Sequence, residues 1–366
     1  AGRTPVRTMA TIDRHHGSHP GRHTLFSNSQ HRRDNPEAVV IAVTGTAGFD
    51  GVNLLHDLAR RGRQAIGFDL AEPRPEVRAS LMATPTPPHF EVLDVCDAAA
   101  VEHAFLRCRP EIVVHAAAIT ASEQRARSQG TRIVAVNVVG TQSVLDACAR
   151  AGVRRVVYVS SGAVYGRATF ANTPLDETVT TEPSSLYGLT KQTGEHLVRH
   201  HRGLHGTETV IARLSALFGM WEQQTSVRDF MSPFRQAAMA ASRGDPIRYL
   251  PDEPRNWTSA SDAALAVVEL ATRERLAHDC FNVCPTERFG LDRCIEAIRR
   301  RRPSVDAARV NDPDRATLTY DADPRQPRAI VPAERLIGEL GERWWTPPDI
   351  SLDAYLTWLD QMPGWI

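Results

Sequence analysis

The stretch Ala38-Val39-Val40-Ile41-Ala42-Val43-Thr44-Gly45-Thr46-Ala47-Gly48-Phe49-Asp50-Gly51 decides how this chain folds. Ala38 to Thr44 is a short, largely β-branched run bounded by glycine, the mark of a strand buried on both faces of a parallel sheet. Gly45, Gly48 and Gly51 follow at spacings of three and three, and Val52, Leu55 and Leu58 then fall on one side of a helix. Such glycines let the backbone turn tightly and approach a pyrophosphate, while the helix N-terminus supplies amides and partial positive charge. A second strand, Gln64 to Phe68, ends on Asp69, eighteen residues after Gly51. An acid there accepts hydrogen bonds from an adenosine ribose and repels a 2′-phosphate, which points to NAD rather than NADP. Arg74 and Arg78, slightly downstream, soften that preference. Asp50 suits the helix dipole but sits near an anionic ligand, so its side chain is expected to point away from the phosphates.

The alternation continues outward from this unit. Phe90 to Val95 reads as a strand with Asp94 at its end, Ala98 to Cys108 as a helix, and Ile112 to Ala116 as a fourth strand. A helix from about Ile133 to Ala151, a fifth strand at Arg155 to Ser160, another helix and a sixth strand at Thr209 to Leu214 follow. Strands alternating with helices require right-handed crossovers and give an α/β fold with a doubly wound parallel sheet. Ligands then bind at the carboxyl ends of the strands.

Those ends carry polar signals. Small residues after His115 (Ala116, Ala117, Ala118) let the chain pass close to a cofactor, and Ser160-Ser161 closes the fifth strand. Tyr187-Gly188-Leu189-Thr190-Lys191 puts a phenol and an ammonium one turn apart on one helix face. The chain has 43 Lys plus Arg, of which Lys191 is the single lysine, leaving 42 arginines. A lysine kept where arginine is otherwise universal suggests a task that a guanidinium cannot perform: bonding two ribose hydroxyls beside the phenol. The ammonium is expected to lower the tyrosine pKa for acid/base work. A hydroxyl at Ser161 would bond the same substrate oxygen.

Composition bounds the class. With 366 residues, 42% hydrophobic, the chain is long enough for one large α/β unit or two lobes. Lys plus Arg equals Asp plus Glu at 43 each, so nothing points to nucleic acid or an anionic membrane. No apolar run approaches a spanning helix, and the N-terminal residues lack the apolar stretch of a signal peptide, so the expected compartment is the cytoplasm. Six scattered cysteines read as reduced, and Cys280 and Cys284, flanking an apparent strand, lack a partner pair for zinc. Residues 1 to 37 hold His15, His16, His19, His23 and His31 without apolar periodicity and read as a disordered arm or an expression remnant. His196 and His200 lie at metal-binding spacing but belong, with His201 and His205, to a run expected to face water, and no metal is expected.

With these motifs in hand, the chain resembles the extended short-chain dehydrogenase/reductase superfamily, of the NAD-dependent epimerase/dehydratase type, over about residues 39 to 360. The residues that carry the likeness are the turn at 44 to 51, Asp69, Asp94, His115 to Ala118, Asn137, Ser160 to Gly166, Tyr187 to Lys191 and Arg255 to Ala264. The closing stretch, with Trp345, Pro347 and a Leu352/Leu356/Leu359 helix, is also similar. The resemblance implies a Rossmann domain over 38–214 and a substrate-binding lobe over 215–366, with segments near 255–285 returning to the core. It implies that Tyr187 is the acid/base, that Lys191 holds the nicotinamide ribose, and that Ser161 binds substrate. Gly45, Gly48, Phe49, Gly51 and Asp69 would contact NAD, joined by Asp94, Val95, Ala116 and Ala117. Arg255 would contact a diphosphate, and Arg228, with it, would clamp an anionic group. Homodimerisation is common in the family and is expected here.

Departures from the family pattern narrow the substrate. Its 4,6-dehydratases place Thr-Asp-Glu where this chain has Ser161-Gly162-Ala163, so elimination is disfavoured. Its nucleotide-sugar epimerases commonly show Arg-x-x-Asn-x-x-Gly after the sixth strand, where Ala216 stands here in Arg213 to Gly219. Two enzyme readings follow: 4-epimerisation of a nucleotide sugar on retained NAD, or net dehydrogenation of a sugar acid, polyol or similar alcohol. A non-catalytic NAD-sensing protein is the third, disfavoured because Tyr187, Lys191 and Ser161 are all present. Trp221 to Arg228 is expected to form a loop over the site.

Overall fold

The computed structural model describes residues 39–365, except 226, 321 and 322. The expected N-terminal arm and its five histidines lie outside the described residues. β1 (Ile41–Thr44), buried at every position, leads through the glycine turn into α1 (Phe49–Arg60). Then come β2 (Ala65–Asp69), α2 (Pro75–Met82), β3 (His89–Val92), α3 (Ala98–Cys108) and β4 (Ile112–His115). α4 (Glu123–Val134) runs through a π-helical segment, Ala135–Val139, into α5 (Gly140–Ala151). β5 (Arg155–Ser161), α6 (Leu186–His205) and β6 (Glu208–Leu214) complete the array. Ser185 caps α6 by accepting a bond from Gly188 N at 3.1 Å, and Gly206, at φ 69°, ends it.

Beyond β6 the chain forms β7 (Leu217–Phe218), α7 (Pro233–Arg243), β8 (Ile247–Tyr249), β9 (Thr258–Ser259) and α8 (Ala260–Thr272). β10 (Cys280–Val283), α9 (Leu291–Arg301), β11 (Ala307–Arg309), α10 (Glu334–Leu340) and α11 (Pro348–Gln361) follow. β10 pairs in parallel with β6, so the main sheet has seven strands in the order β10-β6-β5-β4-β1-β2-β3. Chain direction across the sheet reverses between β1 and β4, which opens a crevice at their carboxyl ends.

Alternating strand residues divide the core. Ile41, Val43, Val114, Val157 and Val210 share one cluster with the inner faces of α1 and α8, while Ala42, Val113, Val156 and Ile211 share another with α3 and α5. Each fully buried Val, Ile or Leu stabilises the fold by about 1.5–3 kcal/mol. On α11, Leu352, Leu356 and Leu359 are buried, as their spacing predicts.

Two boundaries differ from the sequence reading. The third strand stops at Val92, because β3 is the sheet edge and its pairing with β2 ends at Asp69↔Val92. Asp94 therefore sits in the loop beyond, accepting from Cys96 N at 2.8 Å. The helix expected from Ile133 begins ten residues earlier, since Ser122 caps it by accepting from Arg125 N at 3.2 Å, and its polar first turns carry no apolar stripe to read. In the histidine run, His201 is buried rather than solvent-facing, its ring 4.7 Å from that of His205. Among the described residues no helix is long and apolar enough to cross a membrane.

Candidate active site

The glycine turn is a close-packed object. Gly45 has φ +78°, and a Cβ there would lie 2.7 Å from the Ala117 Cα. A Cβ at Gly51 would collide with the Gly45 carbonyl oxygen. Two stretches far apart in sequence, the turn and the small residues after β4, thus meet backbone to backbone, and larger residues would separate them. Asp69, at the end of β2, accepts a bond from Ala47 N at 2.8 Å, so the acid is anchored to the turn it helps to specify. Burial raises its pKa, against backbone hydrogen bonds from Ala47, Leu70 and Ala71. Arg78 pairs with Glu72 at 2.7 Å, and Arg74 lies 4.5 Å over the Trp365 ring. With both arginines engaged, Asp69→Ala is expected to cut the preference for NAD over NADP by about tenfold or more, corresponding to one good hydrogen bond to a charged group. Titration of both dinucleotides checks this, and an unchanged ratio would mean the ribose is read elsewhere.

The glycine turn, Asp69, Ala116 and Ala117, Ser161, Tyr187 and Lys191 all line one cavity of ≈ 1040 Å³, which extends to Arg255 and Arg328. Phe49, Asp94, Val95 and Arg228 line it as well. A single small-ligand site occupies roughly 300–1,000 Å³, so this cavity has room for a dinucleotide and a substrate side by side. A glycine turn at the N-terminus of α1 and an acid at the end of β2, both lining the cavity, fit NAD.

At the centre, Tyr187 lies close enough to the Ser161 and Thr120 hydroxyls for both to favour its phenolate. Lys191 is 3% exposed and donates to Val159 O at 2.7 Å, its Nζ 5.1 Å from the Tyr158 ring centre and 5.9 Å from that of Tyr187. Burial pushes the Lys191 ammonium down to about 8, while the charges of Asp50 and Glu195 act upward. The expectation that Lys191 lowers the phenol is not met in the ligand-free protein. Burial first and the Asp50 charge second push Tyr187 up to about 12, against its hydrogen bonds and Arg228. The reason is that the ammonium faces the Val159 carbonyl rather than the phenolic oxygen.

Beneath this centre lies an ion pair that the sequence did not disclose. Arg213 on β6 grips Glu195 on α6 with Nε at 2.9 Å and Nη2 at 2.7 Å, and Ser160 donates to the same carboxylate at 2.7 Å. Arg213 also donates to Tyr165 Oη at 3.1 Å. Burial alone would raise the Glu195 pKa, but Arg213 and Ser160 hold it below the usual range. Glu195 is one turn after Lys191, so the pair fixes the helix that presents Tyr187 and Lys191 to the cavity. Glu195→Gln leaves the guanidinium uncompensated and is expected to cost about 3–5 kcal/mol, measured by denaturant unfolding. Because the folded carboxyl titrates lower than the unfolded one, its stabilisation is complete above about pH 4.3 and fades as pH falls through the folded value. The variant is expected to lose that part of the acid sensitivity.

The segment from Gly219 to Asp229 crosses the crevice. On one bank, Asn53 donates to Met220 O at 3.0 Å and Gln223 donates to Ala47 O at 3.1 Å. On the other, Thr120 N donates to Val227 O at 2.9 Å, and Asp229 accepts from Ser122 N at 2.8 Å and pairs with Arg125. Trp221 holds a left-handed φ of 68°, rare for an aromatic residue. It is clamped by stacking on His56 at 5.1 Å and by the edges of Trp358 and Trp365.

Several candidate positions are modified by this geometry. Arg228 donates to Glu222 at 2.7 Å and to Phe230 O at 3.0 Å and lies 4.7 Å over the Phe49 ring. It is thus engaged with the crossing segment while lining the same cavity as Arg255. Asp50 lines the cavity and acts electrostatically on Tyr187 and Lys191, so its side chain is turned toward the reaction centre. Asn137, in the π-helical segment, binds the Ile119 amide at 2.7 Å and Thr190 at 3.0 Å, tying the loop after β4 to α6. Thr120, whose hydroxyl acts on the phenol, was passed over; its only signal was a hydroxyl at the end of a run of small residues.

The model of the NAD dependent epimerase/dehydratase family matches residues 41–284. The chain is 26% identical over 325 residues to the dTDP-glucose 4,6-dehydratase of Neisseria meningitidis, covering 84% of this chain and 88% of that protein. It is 28% identical to the dTDP-L-rhamnose 4-epimerase of Burkholderia thailandensis, covering 66% of this chain and 76% of that one. The UDP-glucose 4-epimerase of Thermus thermophilus, solved in complex with NAD, superposes with a TM-score of 0.70 at 22% identity, covering 90% of this chain and all of that one. The family match over most of the described chain, joined to a Rossmann sheet whose switch point carries the glycine turn, Asp69, Tyr187 and Lys191, makes this protein an NAD-dependent enzyme of the NAD dependent epimerase/dehydratase family.

Proposed function

We propose that the protein interconverts the C4 epimers of a nucleotide sugar on a dinucleotide that stays bound through the cycle. The carrying observation is the segment Gly219 to Asp229, hydrogen-bonded to Ala47 and Asn53 on one bank and to Thr120 and Ser122 on the other. Releasing NADH at every turnover would require those bonds to open; an epimerase never needs to release it. Bound NAD supplies a hydride acceptor that later returns the hydride to the opposite face of the same carbon. Tyr187 exchanges the hydroxyl proton, and Ser161 and Thr120 hold the oxygen beside the phenol. Lys191 keeps a positive charge under that oxygen. Arg255 and Arg328, at the far end of the cavity with Trp257 and Tyr320, suit the diphosphate and base of the substrate. Ser161-Gly162-Ala163 offers no carboxyl group for water elimination, which separates this chain from the dehydratases it is similar to.

A second reading, net dehydrogenation of a sugar acid or polyol, is favoured by one residue. Ala216 lines the cavity where an amide side chain would reach a diphosphate. Purified protein, denatured and assayed for released dinucleotide, is expected to yield close to one NAD per chain. Nucleotide sugars are expected to epimerise without bulk NADH. Protein that purifies without NAD and accumulates NADH on a sugar acid would replace the first reading with the second.

A further inference from the structure

Asp50 stands at the reaction centre with no task in the scheme above. It occupies the first turn of α1 and lines both the main cavity and an adjoining apolar pocket walled by Leu54, Val159, Leu214 and Leu217. Its Oδ1 is shut off from solvent and has no hydrogen-bond partner. The titratable groups that face it are the cations Lys191 on α6 and Arg228 on the crossing segment and the neutral phenol of Tyr187. Arg228 is already paired with Glu222, and Lys191 also feels Glu195. A carboxylate against apolar walls, with its nearest cations shared, is costly in its charged form, and burial accordingly raises its pKa.

The position of the ring follows from the chemistry. Hydride exchange requires the reacting carbon within about 3–3.5 Å of its acceptor, and that carbon bears the oxygen served by Tyr187. The nicotinamide would therefore lie beside Tyr187, in the cavity that Lys191 and Asp50 also line. Its oxidised form carries a positive charge and its reduced form none. We propose that Asp50 is a proton switch coupled to the redox state of the dinucleotide: a neutral acid in the ligand-free and NADH-bound protein, it loses its proton to solvent when NAD binds and becomes the counter-charge of the oxidised ring. In this binding step one O–H bond breaks, the proton goes to bulk water and no electrons move. The consequence is a site that favours the oxidised cofactor at rest. It rests on the assignment of NAD and holds for either substrate reading.

The test is calorimetric titration of dinucleotide-free protein with NAD and with NADH between pH 5.5 and 7, in two buffers of different ionisation enthalpy. Below the Lys191 titration, wild type is expected to release up to about one proton with NAD and none with NADH. The ratio of the two dissociation constants is then expected to shift toward NAD by up to about tenfold per pH unit, contributions of the adenosine and phosphates cancelling in the ratio. Asp50→Asn is expected to bind NAD without proton release and with a pH-independent ratio, whereas Tyr187→Phe retains both effects. Equal proton release with the two forms, none with NAD, or an unchanged slope in Asp50→Asn would overturn the switch while leaving the cofactor assignment standing. Failure of wild type to bind NAD would overturn both. Should Asp50→Asn not fold, the wild-type and Tyr187→Phe proton counts decide alone.

Discussion

Tyr187→Phe is expected to lower kcat by about 10² or more, the usual contribution of a positioned acid/base, with little change in melting temperature. The phenol is buried in the cavity beside Ser161 and Thr120, whose hydroxyls favour its ionised form. Its loss removes the proton acceptor while the ring still fills its space. The pH dependence carries a sign. Burial, the largest cause, pushes the phenol up to about 12, so at neutral pH it enters the reaction protonated. That state suits ketone reduction, and alcohol oxidation needs the phenolate. Accordingly, kcat/KM for oxidation is expected to rise with pH across the neutral range in wild type, and this rise should vanish in Tyr187→Phe. Near-normal turnover in the variant would remove the phenol from the mechanism.

Lys191→Arg is expected to lose about 10² in kcat/KM together with NAD affinity, although the charge is kept. The Nζ occupies a slot between the Tyr158 and Tyr187 rings, bonded to the Val159 carbonyl at 2.7 Å and almost fully buried. A planar guanidinium is wider and presents its donors in a fixed fork, so it would displace the Tyr158 ring or back out into the cavity. Misplacement by about 1 Å is enough for a loss of that size. The ammonium is also near its titration point, at about 8, where an arginine stays charged. Calorimetric NAD binding and initial rates measure the two losses separately; if both were unchanged, any cation would serve.

The residues that disclosed this site are those whose chemistry is local. Gly45, Gly48 and Gly51 obey the steric demands of one turn, Asp69 closes one strand, and Tyr187 and Lys191 share one helix face. Each can be read from spacing because its geometry is set within a few residues. The partners of Arg228 were illegible for the opposite reason. A guanidinium goes to whichever carboxylate the fold brings near, and Glu222 and the Phe49 ring are brought near by a segment whose path no periodicity records. The Glu195–Arg213 pair joins α6 to β6, neighbours only after the sheet has formed.

By itself, the sequence determined the strand–turn–helix unit, the doubly wound sheet, the choice of dinucleotide and the placing of Tyr187 and Lys191 on one helix face, because backbone sterics and side-chain period act over one or two turns. Tertiary structure alone decided which contacts tie the loop expected at 221 to 228 to the two banks of the crevice, that Thr120 acts on the phenol, and that Asp50 lines the same cavity as Lys191. Those outcomes depend on packing between segments separated by tens to hundreds of residues, where the winning contact is the one the whole fold leaves within reach.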